Sequence, residues 1–286
     1  MSTVREYYRL TKPGIVYGNA FTTVAAFLYA SKWHSGVMLF LATLVGICLV
    51  VASACVFNNV LDRGIDRRMA RTKERPLVTG AIGVPAALVY GAVLGIIGLA
   101  LLYSQANPLT AALALFGHIS YVLIYGWAKR VSSWGTVVGS IPGAIPIVVG
   151  YTAVTGRLDI PALILFLILV FWQMPHFYAI AMYRLDDYAA ADIPVLPARK
   201  GMRATKVHLL CYIVAYLIAV TALTVLGYAG WAYLVIALGF GLAWAWRALR
   251  GWKTPDDVRW AKGVFLYSLI VLVTFSIALA LSPVLP

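Results

Sequence analysis

Charged side chains are scarce in this chain. Asp, Glu, Lys and Arg make up 12% of its 286 residues, about half the share of an ordinary soluble domain. Set against 62% hydrophobic residues, that shortage excludes a solvated globular protein. Cysteine is equally sparse. Cys48, Cys55 and Cys211 lie inside apolar runs with no CxxC spacing, which excludes a disulfide framework or zinc cluster and reads as small buried hydrophobes. Strands of about ten residues alternating apolar with polar are missing, so a membrane β-barrel is excluded as well. The first apolar run lacks a cleavage site and no Arg- and Ser-rich transit segment precedes it, so it reads as a retained anchor.

What the chain does have is apolar runs of about 20 residues, the length of a membrane-spanning helix. Nine are legible, at roughly 14–31, 36–61, 84–104, 108–127, 135–153, 160–183, 205–227, 230–250 and 261–283. The expected fold is an all-α polytopic membrane protein, one domain over 1–286, with nine transmembrane helices around a central cavity. With the N-terminus in the cytoplasm, all 23 Lys and Arg except Lys32 and Arg157 fall on the inner side, which is the orientation the positive-inside rule selects. A bacterial inner membrane is the home this predicts. The basic excess, net +13, is then a topology signal that also suits anionic lipid, and no nucleic acid partner is expected. Ser2–Lys12 reads as an interfacial segment, with Tyr7 and Tyr8 at head-group level.

Nine of the ten acids, all but Asp159, also lie on the inner side. The positive-inside rule does not require them there, and a metal site is one explanation. Cys55–Gly80, CVFNNVLDRGIDRRMARTKERPLVTG, carries the densest group. If the second span stays helical through it, Asn58, Asp62 and Asp66 recur every four residues and line one stripe. Arg63, Arg67, Arg68, Arg71, Lys73 and Arg75 follow at once. Carboxylates that collect a hard cation, ringed by arginines, suit a diphosphate; an ordinary loop whose acids and bases pair with each other would look the same.

Phe171–Pro197 is the second informative stretch. Gln173, His176, Ile180, Tyr183 or Arg184, and Asp187 recur at three- and four-residue steps, so one face is polar from mid-membrane to the inner mouth. His176 is either a hydrogen-bonded core histidine or an axial iron ligand or substrate contact. Asn19 is interhelical glue or cavity lining. His118 reads as a packed or hydrogen-bonded histidine. The Gly- and Pro-rich run 135–150 is either closely approached by its neighbours or slim to leave room for a large ligand.

With those residues laid out, the chain resembles the intramembrane prenyltransferases of the UbiA type, and within them the branch that farnesylates protohaem IX. That branch looks like NNxxDRxIDxxMxRTxxRPL, and Asn58–Leu77 follows it. LTKPGI with Asn19 after it, WQMPHF at Trp172–Phe177 and DYxxAxIPxLP at Asp187–Pro197 are its other marks. The similarity runs from about Leu10 to Ser268. Asn59 stands where other branches often carry Asp. Ala191, four after Asp187, breaks the second acidic motif, which leaves open whether Asp186 or Asp192 joins Asp187. Gly135 replaces a frequent Asn, and the segment before Lys129 is one residue short.

The resemblance implies Mg²⁺, two ions, one held by Asn58, Asp62 and Asp66 and one near Asp187, with Asp62, Asp66 and Asp187 catalytic. It implies a diphosphate met by Lys12, Arg71, Arg75, Lys129, Arg130 and Arg184, and a cavity lined by Asn19, Gln173 and His176. Farnesyl diphosphate and haem B are the implied substrates, within the lipid bilayer, with a haem A synthase or terminal oxidase assembly as possible downstream partner. The rival readings are a UbiA-type enzyme with a quinone precursor or other acceptor, and a membrane transporter. Transporters gather ionisable groups near the midplane, whereas these acids gather at one face.

Overall fold

The computed structural model describes residues 3–285; Ser2, at the start of the interfacial segment, lies outside them. In chain order the helices are α1 (Val4–Leu10), α2 (Pro13–Ser31), α3 (Val37–Asp66), α4 (Pro76–Thr79), α5 (Val84–Gln105), α6 (Pro108–Ile119), α7 (Gly126–Val131), α8 (Gly135–Thr155), α9 (Ile160–Tyr183), α10 (Leu185–Ala190), α11 (Leu196–Val225), α12 (Trp231–Arg250) and α13 (Asp257–Leu281). A π-helical turn, Ser120–Tyr125, joins α6 to α7 in one continuous run. Every regular element among the described residues is helical.

Eight of these helical runs are long and apolar enough to cross a membrane: α3, α5, α6 through α7, α8, α9, α11, α12 and α13. The sequence predicts nine. The ninth, α2, has 19 residues but is diluted by Asn19, Thr22 and Thr23. Proline opens α2, α5, α6 and α9 at the first or second position, where its missing N–H costs nothing. α11 begins earlier than the apolar run predicts, at Leu196. Its first turn is set off by a break at Gly201, whose φ of 77° and ψ of 171° are outside helical space.

The largest core lies among α2, α8, α9, α11, α12 and α13; a second joins α3, α5, α6 and α8. Large apolar residues such as Val89, Ile96, Ile218 and Val235 point outward at 65–70% exposure, as lipid-facing side chains do and soluble surfaces avoid. Of the cysteines, only Cys55 is buried. Cys48 is half-buried and Cys211 exposed on α11, a correction: an outward face here meets lipid, so a small apolar residue needs no burial. The Gly- and Pro-rich run is closely approached. A Cβ on Gly150 would overlap the Thr23 carbonyl oxygen of α2, so these two backbones touch where no side chain fits.

The two ends of the bundle differ. At one, Tyr29 donates to the Tyr228 carbonyl (2.8 Å), Trp33 to that of Ala280 (2.8 Å) and Asn107 to that of Thr152 (2.9 Å), which ties neighbouring helices together. The other end carries the charge. There Arg68 pairs with Asp192 at 2.6 Å and donates to the Ala191 carbonyl at 2.9 Å, joining the segment after α3 to the one after α10.

Candidate active site

α3 remains helical through the charged stretch to Asp66, so the four-residue spacing of Asn58, Asp62 and Asp66 becomes a real stripe. All three are buried, at 1%, 6% and 4% exposure. They line a cavity of about 570 Å³ that runs from this rim into the bundle. Burying carboxylates is costly unless charge meets them, and here it does. Lys129 pairs with Asp62, Arg130 reaches its other oxygen at 3.2 Å, and Arg75 pairs with Asp66 at 2.6 Å. Arg75 also donates to Asn59 (3.1 Å), whose amide donates to the Leu10 carbonyl (2.8 Å).

Lys12 donates to Asn58 Oδ1 at 2.6 Å from the N-cap of α2. Burial is the main cause of a Lys12 pKa drawn down to about 8, and the nearby charges of Arg75 and Lys129 lower it further. Arg71 and Arg184 also line the cavity. Two carboxylates thus face Lys12, Arg71, Arg75, Lys129 and Arg184, and the surplus of positive charge at the mouth calls for an anion of more than one charge.

Two expected contacts stand beside the cavity lining. Arg130 is not on the cavity wall; it is exposed and braces Asp62 from behind, with a second bond to the Leu61 carbonyl at 2.7 Å. Asp187 faces Arg184 at 3.6 Å, and Arg184 with Tyr188 beside it lines the cavity. Asp186 and Asp192 are exposed, and Asp192 belongs to Arg68. Because that pair sits in solvent, it contributes up to about 1 kcal/mol. Arg68→Ala should therefore raise the Michaelis constant for the diphosphate substrate only a few-fold, Asp192→Ala somewhat less because the bond to the Ala191 carbonyl remains, and the two losses should be less than additive in a double-mutant cycle. Additive losses would show that the two do not act as a pair.

Among the described residues no three His, Cys, Asp or Glu converge as a metal cluster. The donors on the wall still fit Mg²⁺, which takes oxygen and commonly binds one or two carboxylates, completing its shell with water and substrate phosphate. Asp62 and Asp66 supply those carboxylates. Asn58 Nδ2 is sealed in without a partner, so this amide is not yet fully satisfied by protein.

Deeper in, the cavity is lined by Asn19, Gln173 and His176, as expected from the sequence. Asn19 Nδ2 returns to the Ile15 carbonyl at 2.9 Å. Gln173 spends both amide hydrogens on the Ser140 and Leu169 carbonyls (3.1 and 3.0 Å). Its Oε1 lies where a Cβ on Gly143 would be, so glycine there is what admits the glutamine. His118 touches Ser53 Oγ at 3.0 Å and meets the Phe57 ring edge-on, as a packed, hydrogen-bonded histidine does; it also borders the cavity.

Sequence reasoning missed Tyr121, Tyr125 and Tyr188, which line the same cavity. The first two stack with centroids 5.4 Å apart, and the Lys129 ammonium lies 5.0 Å from the Tyr125 ring. Their signal was present: 121, 125 and 129 share a helical face. Ser268 was missed with no signal at all, since it reaches His176 from α13.

A model described as the UbiA prenyltransferase family matches residues 19–270. The protoheme IX farnesyltransferase of Yersinia enterocolitica serotype O:8 / biotype 1B is 50% identical over 278 residues, 97% of this chain and 94% of that one. That of Photorhabdus laumondii is 48% identical over 284 residues, 99% and 97% of the two chains. Among solved structures, one described for digeranylgeranylglyceryl phosphate synthase covers 99% of both chains at a TM-score of 0.82 and 18% identity. A UbiA homolog from Archaeoglobus fulgidus bound to GPP and Mg²⁺ matches at 0.69 and 15% identity, covering 96% of this chain and 99% of that one. At such identities these two share the fold.

Proposed function

The chain belongs to the UbiA prenyltransferase family, and from that premise we propose that it transfers a farnesyl group from farnesyl diphosphate to a vinyl group of protohaem IX, with addition of water, giving haem O and diphosphate. The observation that carries this is the combination of a rim with surplus positive charge, two wall carboxylates and a long cavity below. The names of relatives about half identical over nearly the whole chain support haem as acceptor. WQMPHF, with His176 facing the cavity, favours haem over a quinone precursor. Nine of the ten acids gathered at one face disfavour a transporter.

In this reading the whole chain is one catalytic unit in a bacterial inner membrane, α2 is the ninth span, and the charged rim faces the cytoplasm. Asp62, Asp66 and Asn58 would hold Mg²⁺, which when bound draws electron density from the diphosphate oxygens. Lys12, Arg71, Arg75, Lys129 and Arg184 receive the negative charge that grows on the leaving group, and being already in place they favour that state most. Asp187, beside Arg184, would hold a second ion at the same mouth. Tyr121 and Tyr125 line the cavity near the rim, where an allylic cation would be left, and apolar walls keep water from it prematurely. A terminal oxidase assembly or a haem A synthase would take the product.

Membranes holding this chain, given haem B, farnesyl diphosphate and Mg²⁺, should yield a porphyrin heavier by one farnesyl group and one hydroxyl, the remaining proton of water leaving with the diphosphate. Farnesylation of a quinone precursor with haem untouched would overturn the acceptor.

A further inference from the structure

His176 has its ring orientation set from several sides. Trp172 stacks on it with centroids 4.8 Å apart and planes at 29°, Phe265 lies at 4.9 Å and Phe177 meets it edge-on at 5.2 Å. Nδ1 is 2.7 Å from Ser268 Oγ. Ser268 is fully buried on α13, and its hydroxyl donates to the Phe265 carbonyl at 2.5 Å. The Trp172 indole N–H also donates to the Ser268 carbonyl, at 2.9 Å, which pins this point of α13 against α9.

A hydroxyl has one proton. With that proton committed to Phe265, Ser268 can only accept from the imidazole, so the hydrogen of a neutral His176 sits on Nδ1. The other nitrogen, Nε2, then carries a bare lone pair. It makes no hydrogen bond among the described residues and is not one of the sealed-in unpaired polar atoms, while His176 itself borders the cavity. We infer that Ser268 is a positioning residue that fixes the tautomer of His176, so that Nε2 ligates the iron of the acceptor porphyrin. This rests on haem being the acceptor. It adds that the iron, and not only the ring, is recognised, and that the recognising nitrogen is set by a serine on another helix. A histidine that ligates metal through one nitrogen ordinarily donates its other N–H to such a partner.

The test uses the full chain in lipid nanodiscs, titrated separately with haem B and with metal-free protoporphyrin IX, which has no iron to ligate. Wild type should bind haem with a shifted Soret band and more tightly than protoporphyrin IX. His176→Ala should remove both the shift and the preference. Ser268→Ala should weaken haem binding about ten- to a hundredfold and leave protoporphyrin IX affinity unchanged, which also reports that the cavity is intact. Ser268→Thr, which keeps the hydroxyl, should restore the haem spectrum. A wild-type spectrum and affinity in Ser268→Ala would overturn the positioning role, and the same result in His176→Ala would overturn the ligation. Wild type that binds neither porphyrin would remove the acceptor reading and this inference together.

Discussion

Asp62→Asn should lower farnesyl transfer by about a thousand-fold or more, roughly 4 kcal/mol of barrier, while leaving the protein folded and inserted. Asp62 is the most heavily engaged acid of the rim, with Lys129 on one oxygen and Arg130 on the other. Asparagine keeps the shape and removes the charge. Two roles must be separated, because a carboxylate that merely neutralises a half-buried lysine would also be missed. Because Lys129 is itself a diphosphate contact, the comparison is with Lys129→Met alone: if Asp62 serves only Lys129, adding Asp62→Asn to Lys129→Met should cost no further activity. If Asp62 holds the metal, the double variant falls far below Lys129→Met alone and still folds. Titrating the diphosphate substrate separates them again. The rim of Asp62→Asn is more positive, so binding without Mg²⁺ should be at least as tight as in wild type. Equal turnover in purified Asp62→Asn and wild type would take this residue out of the chemistry.

Gly150→Val should cost more stability than any other change argued here. The obstacle is the Thr23 carbonyl oxygen, a backbone atom of α2, and no rotamer change can move it. Thr23 also donates its hydroxyl to the Pro146 carbonyl at 2.9 Å, tying the same two helices together one turn away. Overpacking a well-filled core typically costs about 1–3 kcal/mol, and a backbone obstacle puts this site at the upper end or beyond. Because Lys12, Gly14, Gly18 and Asn19 line the cavity from α2 and its cap, pushing that helix away should also lower activity in whatever protein survives. A thermal-unfolding series in detergent would show the loss. Gly64→Ala is the matched control, since nothing lies within 4 Å of its added Cβ; it should be neutral or slightly stabilising. Equal unfolding temperatures for the two variants would show that α2 and α8 are not in close contact.

Much of the site was legible because helical spacing is local. Asn58, Asp62 and Asp66 share a face by arithmetic alone, as do Gln173 and His176, and a motif resemblance added Lys12, Arg71 and Arg75. Tyr121 and Tyr125 could have been read the same way, from their spacing to Lys129. The surroundings of two other site candidates were less legible. Arg130 and Asp187 have the right charge in the right segment, yet one lies behind Asp62 and the other beside Arg184. Adjacent residues on a helix point about 100° apart, and which of Lys129 and Arg130 enters the cavity depends on how α7 is rotated.

By itself, the sequence determined that this chain is a helical membrane protein with its charge at one end, and which short motifs carry that charge. Those are consequences of hydropathy, length and period, each set within one segment. Only the tertiary structure decided that Arg68 joins Asp192 across 124 positions, that Asn58 meets Lys12, and that Ser268 reaches His176 across 92. Such pairs depend on the packing of one helix against another, where a fraction of a turn or a missing Cβ selects the neighbour, and no local pattern records that choice.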